Sequence, residues 1–394
     1  MPEPLWIADP LSSLIAPTKV ETFFAEYYEQ KALHVKRDEP DRYADLLSVD
    51  RIDDILASVD LSANSLEMAR AEPRVRVGDF TFNDGVVDRG AVIRHYQQGA
   101  TIIFPHLHQL DAKLAEFCRA LEERLCSHIQ TNIYLTPPDS QGFRTHYDDH
   151  DVFIVQVSGE KNWKLYSTPV ENPYRGERFQ SDVHEAGDPV HEFSLKAGEC
   201  AYLPRGLMHD AVTKGDEPSL HITVGVIAKT WADLMLEAVS EVALRDPRFR
   251  RSLPHGFARD EYVRADAGDY FRDLVASFAK EANFDEAFEL FVENFIRSRS
   301  AVTRGGVLSV TEPIEPHDQF QRRLHVPARL RYDDDAALII CPGGDVNFDR
   351  AAVSGLESAL SGSPFSLDAF GDIDSTVAMD SLKKLLAFGL VARV

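Results

Sequence analysis

The stretch from about residue 128 to 228 constrains the fold most, because it consists of short apolar runs separated by turn residues. One run, DVFIVQV at 151–157, is apolar on both faces, which is typical of a strand buried between two sheets or inside a barrel. Many short strands with glycine and proline in the turns predict a double-sheet barrel of the jelly-roll type.

Helical patterns precede that β-rich stretch, and residues 18–58 are predicted to be mostly helical. Thr18 stands before an apolar run with Glu21 three positions later, which is the capping-box pattern of a helix start. Ser48 stands in the same way before a second run. We therefore expect one helix to be capped by Thr18 and another by Ser48.

Three domains are predicted along this mixed α+β chain. The first, 1–228, contains the N-terminal helices and the β-rich core, and the second, 229–300, is helical. Within the second, residues 270–297 carry an aromatic stripe on what is predicted to be one helical segment, which suits packing on the barrel or a dimer interface. The third, 301–394, mixes short strands with helices, which favours a small winged-helix-like module.

The charge of the chain restricts its partners. The chain has 394 residues, of which 44% are apolar and 27% charged, as is usual for a globular protein of two or three domains. Its net charge of −22 makes direct binding to nucleic acid phosphates unfavourable. A basic protein or peptide is the partner that this charge favours.

The sequence also bears on location. The four cysteines lack CxxC spacing, which argues for a reducing compartment and against a structural zinc ribbon. The start MPEPLWIADPL has no basic stretch followed by an apolar one, and no apolar run approaches the ~20 residues of a membrane helix. We expect a cytoplasmic protein that does not contact a membrane.

A cluster of histidines and acids, THYDDHD, precedes the apolar strand. His146 and Asp148 stand two positions apart, so in an extended segment their side chains point to the same face. Such a pair supplies two of the three ligands of a 2-His-1-carboxylate metal site. The alternative is a solvated acidic turn, which Asp and His clusters form often.

The third ligand has to come from a later strand, and the chain offers four candidates: His184, His191, His209 and His221. His209 lies in YLPRGLMHDAV, where a Pro-Arg-Gly turn leads into a strand, and this position favours it. His221 lies in an alternating strand and could also point into a barrel.

Iron(II) suits this ligand type better than zinc does. Two histidines and one carboxylate leave three adjacent octahedral positions for a bidentate cosubstrate and dioxygen. A structural zinc would need a closed tetrahedral set, usually with thiolates, and no cysteine lies near the pair in sequence. A catalytic zinc with one open position remains an alternative.

Three segments carry a family resemblance: NIYLTPPDSQGFRTHYDDHDVFIVQVSGEKNWKLYSTP, LKAGECAYLPRGLMHDAV and SLHITVG. Together they resemble the Jumonji-C ribosomal oxygenases, which are iron(II)- and 2-oxoglutarate-dependent protein hydroxylases. The close resemblance covers about 130 to 226, and the rest of the chain is similar to the family in layout. It implies a double-stranded β-helix of the cupin or JmjC type, a helical dimerisation domain and a C-terminal winged-helix domain.

The resemblance assigns roles by position. It implies His146, Asp148 and His209 as the iron ligands. It implies that Lys161, in SGEKNW, pairs with the distal carboxylate of 2-oxoglutarate, as a compact buried ammonium can. The cosubstrate would be flanked by three further residues: Asn132, Tyr134 and Thr223.

The implied activity is hydroxylation of a histidine or arginine side chain of a ribosomal protein, with iron(II), 2-oxoglutarate and dioxygen, by a homodimer. A second possibility is hydroxylation of a ribosomally made peptide during natural-product maturation. Lysine demethylation is less favoured, because nothing in the sequence marks a methyl-lysine cage. An alternative of another class is a cupin-like metal- or ligand-binding protein without redox activity, which would not need Lys161.

Overall fold

The computed structural model describes residues 4–213, 215–315 and 317–394, and the chain divides into two compact units, Met1–Ala228 and Lys229–Val394. Within the described residues, the first unit contains ten strands: β1 (Leu33–Val35), β2 (Glu67–Ala69), β3 (Thr101–Phe104), β4 (His128–Thr136), β5 (Asp151–Ser158), β6 (Glu160–Leu165), β7 (His191–Lys196), β8 (Cys200–Leu203), β9 (His209–Thr213) and β10 (Ser219–Ile227). Its α-helices are α1 (Leu5–Ala8), α2 (Pro10–Ile15), α3 (Val20–Glu26), α4 (Val49–Ser58), α5 (Arg89–Gln97) and α6 (Ala112–Leu125).

These strands form two antiparallel sheets. The larger sheet has seven strands in the order β1-β8-β5-β10-β4-β3-β2, and the smaller has three in the order β7-β6-β9. Between them lies an apolar layer that joins Val152 and Ile154 of β5 to Trp163 and Leu165 of β6. The predicted double-sheet, cupin-like core is therefore present.

The two apolar faces of β5 have different neighbours. Val152 and Ile154 face the smaller sheet, whereas Phe153 belongs to a second core that the N-terminal helices complete with Phe23 of α3 and Phe117 of α6. The strand is buried on both sides, as its sequence predicted, but helices rather than a second sheet cover one side.

The N-terminal helices agree with the sequence in part. Ser48 caps α4, since its hydroxyl accepts a hydrogen bond from the Arg51 backbone N–H at 3.1 Å. The prediction for Thr18 is wrong: α3 starts one residue later, at Val20 after an N-cap Lys19, with no side-chain cap. The Thr18 N–H donates instead to the Ile15 carbonyl, so this residue closes the turn after α2.

The second unit begins with helices and ends with a small α/β fold. Its helices are α7 (Trp231–Arg245), α8 (Ala265–Glu281), α9 (Phe284–Arg297), α10 (Gly306–Ser309), α11 (Val353–Leu360) and α12 (Ser375–Ala387). Its strands are β11 (Phe320–Arg322), β12 (Arg329–Tyr332), β13 (Ala336–Cys341), β14 (Gly344–Asp349) and β15 (Val391–Arg393). The strands form a three-stranded sheet, β12-β13-β14, and a pair, β11-β15, around a core with α11 and α12.

The aromatic segment 270–297 is two helices rather than one. Asn283 ends the continuity, because its side-chain oxygen accepts from the backbone N–H groups of Asp285 and Glu286 and so caps α9. No residue of α8 is buried, and Phe271 is 65% exposed. Among the described residues, no helix is long and apolar enough to cross a membrane.

Candidate metal centre and cosubstrate cavity

The backbone brings together two histidines that are far apart in sequence. His146 and His209 form a β-bridge, in which the His146 N–H donates to the His209 carbonyl at 3.1 Å and the reverse bond measures 2.8 Å. The Gly206 N–H donates to the Asp148 carbonyl at 3.0 Å. Backbone hydrogen bonds therefore hold the Pro-Arg-Gly turn and the strand start at His209 against the His-x-Asp segment.

The three predicted ligands converge. Their ligand atoms all lie within 4.8 Å of one another. One Asp148 oxygen is 4.0 Å from His146 Nε2, and the other is 3.8 Å from His209 Nε2. In the described part of the chain this is the one group of three or more His, Cys, Asp or Glu residues so placed.

Both imidazoles are oriented to offer Nε2. His146 Nδ1 lies 2.9 Å from the Arg144 carbonyl, and His209 Nδ1 lies 3.0 Å from the Leu207 carbonyl. A carbonyl can only accept, so each Nδ1 carries a proton, and this arrangement leaves Nε2 as the atom that can bind a metal. Burial, followed by the neighbouring His146, lowers the pKa of His209 to about 4. That histidine is therefore neutral at pH 7, as a metal ligand has to be.

A buried ion pair supports the turn that carries His209. Asp151, which is fully buried, accepts from the Arg205 guanidinium at 2.7 Å and from the Tyr202 hydroxyl at 2.8 Å. Arg205 also pairs with Glu29 at 2.6 Å. Sequence reasoning missed this pair, although Asp151 and Arg205 both lie within the motifs that were singled out.

A second link joins the residues next to the two histidines. Asp210 Oδ2 accepts from the Thr145 hydroxyl and from the Tyr166 hydroxyl, both at 2.6 Å. Thr145 precedes one metal-ligand candidate and Asp210 follows the other. Side-chain bonds of this kind fix the orientation of ligand-bearing segments.

The ligand group opens into a cavity of about 70 Å³. Lys161 lines it from β6 and is 5% exposed. Its ammonium donates to the Thr136 hydroxyl at 3.0 Å, and the Thr101 hydroxyl also donates to Thr136, at 3.1 Å. Burial lowers the pKa of Lys161 to about 7. A buried ammonium beside neutral hydroxyls is suited to bind an anion.

Strands β4 and β10 supply the opposite wall of the cavity. Tyr134 and His221 are register partners, and their rings stack in parallel with centroids 4.8 Å apart. Thr223, which also lines the cavity, pairs with Asn132. Asn132 itself is not among the lining residues, and its amide oxygen accepts from the His106 N–H at 3.1 Å.

His221, which was one of the four candidates for the third ligand, lines the cavity but is not part of the converging ligand group. It is 3% exposed, and its Nδ1 has no hydrogen-bond partner within the described residues. Burial, with a smaller effect of Lys161, lowers its pKa well below the usual value, so the ring is neutral. The other two candidates, His184 and His191, do not line the cavity.

Comparison with known proteins agrees with this cupin-like fold. Residues 105–234 match the family model of the JmjC domain. The chain is 35% identical over 255 residues to a "bifunctional lysine-specific demethylase and histidyl-hydroxylase NO66" from Drosophila grimshawi, covering 62% of this chain and 35% of the relative. The protein of that name from Dictyostelium discoideum is 33% identical over 263 residues, covering 63% and 50%. The chain thus spans about a third to a half of the length of these curated relatives.

Solved structures extend the comparison to nearly the whole chain. The Escherichia coli ycfD structure has a TM-score of 0.57 at 14% identity and covers 96% of this chain and 98% of its own. YcfD in complex with cobalt and 2-oxoglutarate, described as a ribosomal oxygenase, has a TM-score of 0.56 at 14% identity and covers 96% and 99%. At this identity the likeness establishes the fold. It agrees with the sequence matches, in which residues 105–234 are the part of the chain that resembles a JmjC domain.

Proposed function

We propose that the protein is an iron(II)- and 2-oxoglutarate-dependent oxygenase that hydroxylates a protein or peptide side chain. One observation carries the proposal: the His146, Asp148 and His209 group opens into a cavity whose wall holds the buried ammonium of Lys161. Two imidazoles with free Nε2 atoms and one carboxylate fit iron(II), and they leave adjacent coordination positions for a cosubstrate and dioxygen.

The chain's own residues have distinct tasks in this proposal. His146, Asp148 and His209 hold the metal, and Lys161 binds the distal carboxylate of 2-oxoglutarate. When bound, iron(II) with 2-oxoglutarate and dioxygen supplies the oxidation that places one oxygen atom on a substrate carbon and releases succinate and carbon dioxide. Apolar walls from Ile154 and other lining residues exclude water from the reacting atoms.

Three further residues position the cosubstrate. Tyr134 and Thr223 line the cavity directly. Burial raises the pKa of Tyr134, so its hydroxyl stays protonated and can donate a hydrogen bond. Asn132 acts through Tyr134, because its side chain hydrogen-bonds to the Tyr134 hydroxyl and so orients it.

The proposed target is a histidine or arginine of a ribosomal protein. Two names support a ribosomal protein as the first candidate: the curated relatives are named histidyl-hydroxylase, and the solved structure is named ribosomal oxygenase. The chain's net charge of −22 would favour a basic protein at long range. Maturation of a ribosomally made peptide is the second candidate, since it needs the same site. The relatives' names also include lysine-specific demethylase, but that activity is less favoured because nothing in the sequence marks a methyl-lysine cage.

A cupin-like binding protein without redox activity is the rival from another class. It would require the three metal ligands but not a buried ammonium. Burial disfavours the charged form of Lys161, and this unfavourable burial is explained if the ammonium meets a carboxylate. The lysine therefore favours the oxygenase.

We further propose that the protein is a cytoplasmic homodimer and that the helices of 229–300 form its interface. Large apolar side chains on these helices are exposed, among them Trp231 at 77%, Phe271 at 65% and Phe284 at 57%. The winged-helix-like assignment of 301–394 remains a prediction. Sedimentation should give a dimer at micromolar concentration, and a monomer would contradict the interface.

Anaerobic titration with iron(II) and 2-oxoglutarate tests the proposed function. The wild type should develop the weak visible charge-transfer band of a chelated cosubstrate, and His209→Ala should not. His191→Ala is the matched control, because that histidine lies on β7 outside the cavity, and it should keep the band. Tight binding of zinc or nickel in the wild type without any band would favour the cupin-like binding protein instead.

A further inference from the structure

A second, larger cleft adjoins the metal cavity. Its volume is about 450 Å³, and it shares Gly142, Phe143 and His146 with the cavity. The His146 side chain is 32% exposed, so the metal group can be reached from this side. If the protein is an oxygenase as proposed, a substrate chain that presents one side chain to the metal would lie in this cleft.

The charge that lines the cleft is opposite in sign to that of the chain. Arg70, Arg74 and Arg144 line it, and no aspartate or glutamate does. The chain as a whole has 64 acidic and 42 basic residues. Arg144 pairs with Glu72, a residue outside the lining whose side chain is 77% exposed. Even with that glutamate counted, the local balance is positive.

Two of these arginines keep their charge available. Arg70 is held by backbone carbonyls, because its Nε donates to Pro73 and its Nη1 to Gln98, both at 2.9 Å. A carbonyl orients a guanidinium without neutralising it, so the remaining N–H groups are positioned in advance for a carboxylate. Arg74 is exposed beside it.

The rest of the cleft wall is largely apolar. Phe143, at 43% exposure, stands where the cleft meets the metal cavity, and Met68, Val75 and Phe179 continue the wall. Such a surface contacts the apolar part of a side chain while the arginines bind charged ends. It therefore fits a peptide in which acidic and apolar residues are mixed.

We propose that this cleft binds an acidic stretch of the substrate next to the residue that reaches the metal. The proposal rests on the proposed function and narrows its substrate class. It does not conflict with a partner that is basic overall, because the Debye length at physiological salt is ~8 Å. The net charge of the protein affects how a partner approaches. Once a segment of the partner lies in the cleft, its charges interact mainly with the nearby arginines.

Fluorescence anisotropy with two synthetic peptides tests this. Both peptides are twelve residues long with one central histidine and one phenylalanine, and the flanking positions carry three glutamates in one and three lysines in the other. At 0.15 M salt the glutamate peptide should bind about tenfold more tightly, which corresponds to ~1.4 kcal/mol from three partly exposed ion pairs. Equal affinity, or a preference for the lysine peptide, would overturn the proposal.

Charge-reversal variants locate the effect. Arg74→Glu should abolish the preference, whereas Arg124→Glu, an equal charge change on the exposed end of α6, should preserve it. Circular dichroism confirms that both variants are folded. A preference that survives Arg74→Glu would overturn the assignment to this cleft. The anisotropy experiment measures peptide binding and does not depend on oxidation, whereas the iron titration tests the oxygenase proposal. If the charge-transfer band forms but the glutamate peptide is not preferred, only the proposal for the cleft is contradicted.

Discussion

Lys161 should lower the stability of the first unit, and the size of that effect can be derived from its burial. Burial lowers the pKa of Lys161 from 10.5 to about 7. A difference of about 3.5 pKa units between the unfolded and folded states corresponds to at most about 5 kcal/mol, at ~1.36 kcal/mol per unit. The unfolded chain takes up the proton as the pH falls through 10.5, whereas the folded chain does so only near 7. Stability should therefore fall as the pH falls across that window, with the full loss present below about 7.

Replacing the lysine by methionine removes this loss. Lys161→Met should be more stable than the wild type at pH 7 by about 2–5 kcal/mol, although the variant lacks the ammonium that is proposed to bind the 2-oxoglutarate carboxylate. The wild type should regain ~2 kcal/mol relative to the variant between pH 7 and pH 9. Lys164→Met is the matched control, since Lys164 lies on the same strand with 44% of its side chain exposed and should show neither effect.

Urea unfolding followed by tryptophan fluorescence measures both quantities. The chain has three tryptophans, and Trp231→Phe leaves only Trp6 and Trp163, which both lie in the first unit. In this background the fluorescence reports one cooperative unit rather than two. A Lys161→Met variant that is less stable than the wild type at pH 7, or a stability difference that does not change with pH, would refute the reasoning.

Two further perturbations follow from contacts in the first unit. Asp151→Asn removes the carboxylate from the buried ion pair with Arg205. The free energy of unfolding in urea should therefore fall by about 3–5 kcal/mol. A change below ~1 kcal/mol would show that the pair does not stabilise the fold. Ser48→Ala should lower the free energy of unfolding by ~1 kcal/mol because a helix cap is lost, whereas Thr18→Ala should have little effect because Thr18 caps no helix; equal losses in thermal unfolding would contradict this difference.

The convergence of His146 and Asp148 could be predicted because its sequence signal is local. The two-residue spacing of His146 and Asp148 needs only an extended backbone to place both side chains on one face. His209 was harder to predict, since His221 also lines the cavity. The structure separates the two histidines, because His209 forms the β-bridge with His146 and belongs to the converging ligand group, whereas His221 does not. Whether these residues bind iron remains a prediction.

Other features had the right sequence signal but a different structural outcome. Thr18 and Ser48 both stand before a helical apolar run, and Thr18 even has the capping-box glutamate, yet the Thr18 N–H bonds within the preceding turn and only Ser48 caps a helix. Asn283 is a typical N-cap residue and could have indicated the break between α8 and α9. The apolar stripe continues beyond Asn283, however, and therefore favoured one continuous helix. The arginine cleft could not be predicted, because Arg70 and Arg144 come together only through the folded sheet.

The position of β10 has a consequence for synthesis of the chain. It is the last strand of the first unit, yet it lies in the middle of the seven-stranded sheet, paired with β4 over nine residues and with β5 over seven. Until residues 219–227 have left the ribosome, the sheet exists at most as two halves, each with an unpaired inner edge. Such edges are templates for pairing with other chains. The nascent protein is therefore most exposed to aggregation just before β10 appears, and a chain that ends before β10 would form two half-sheets rather than a smaller version of the fold.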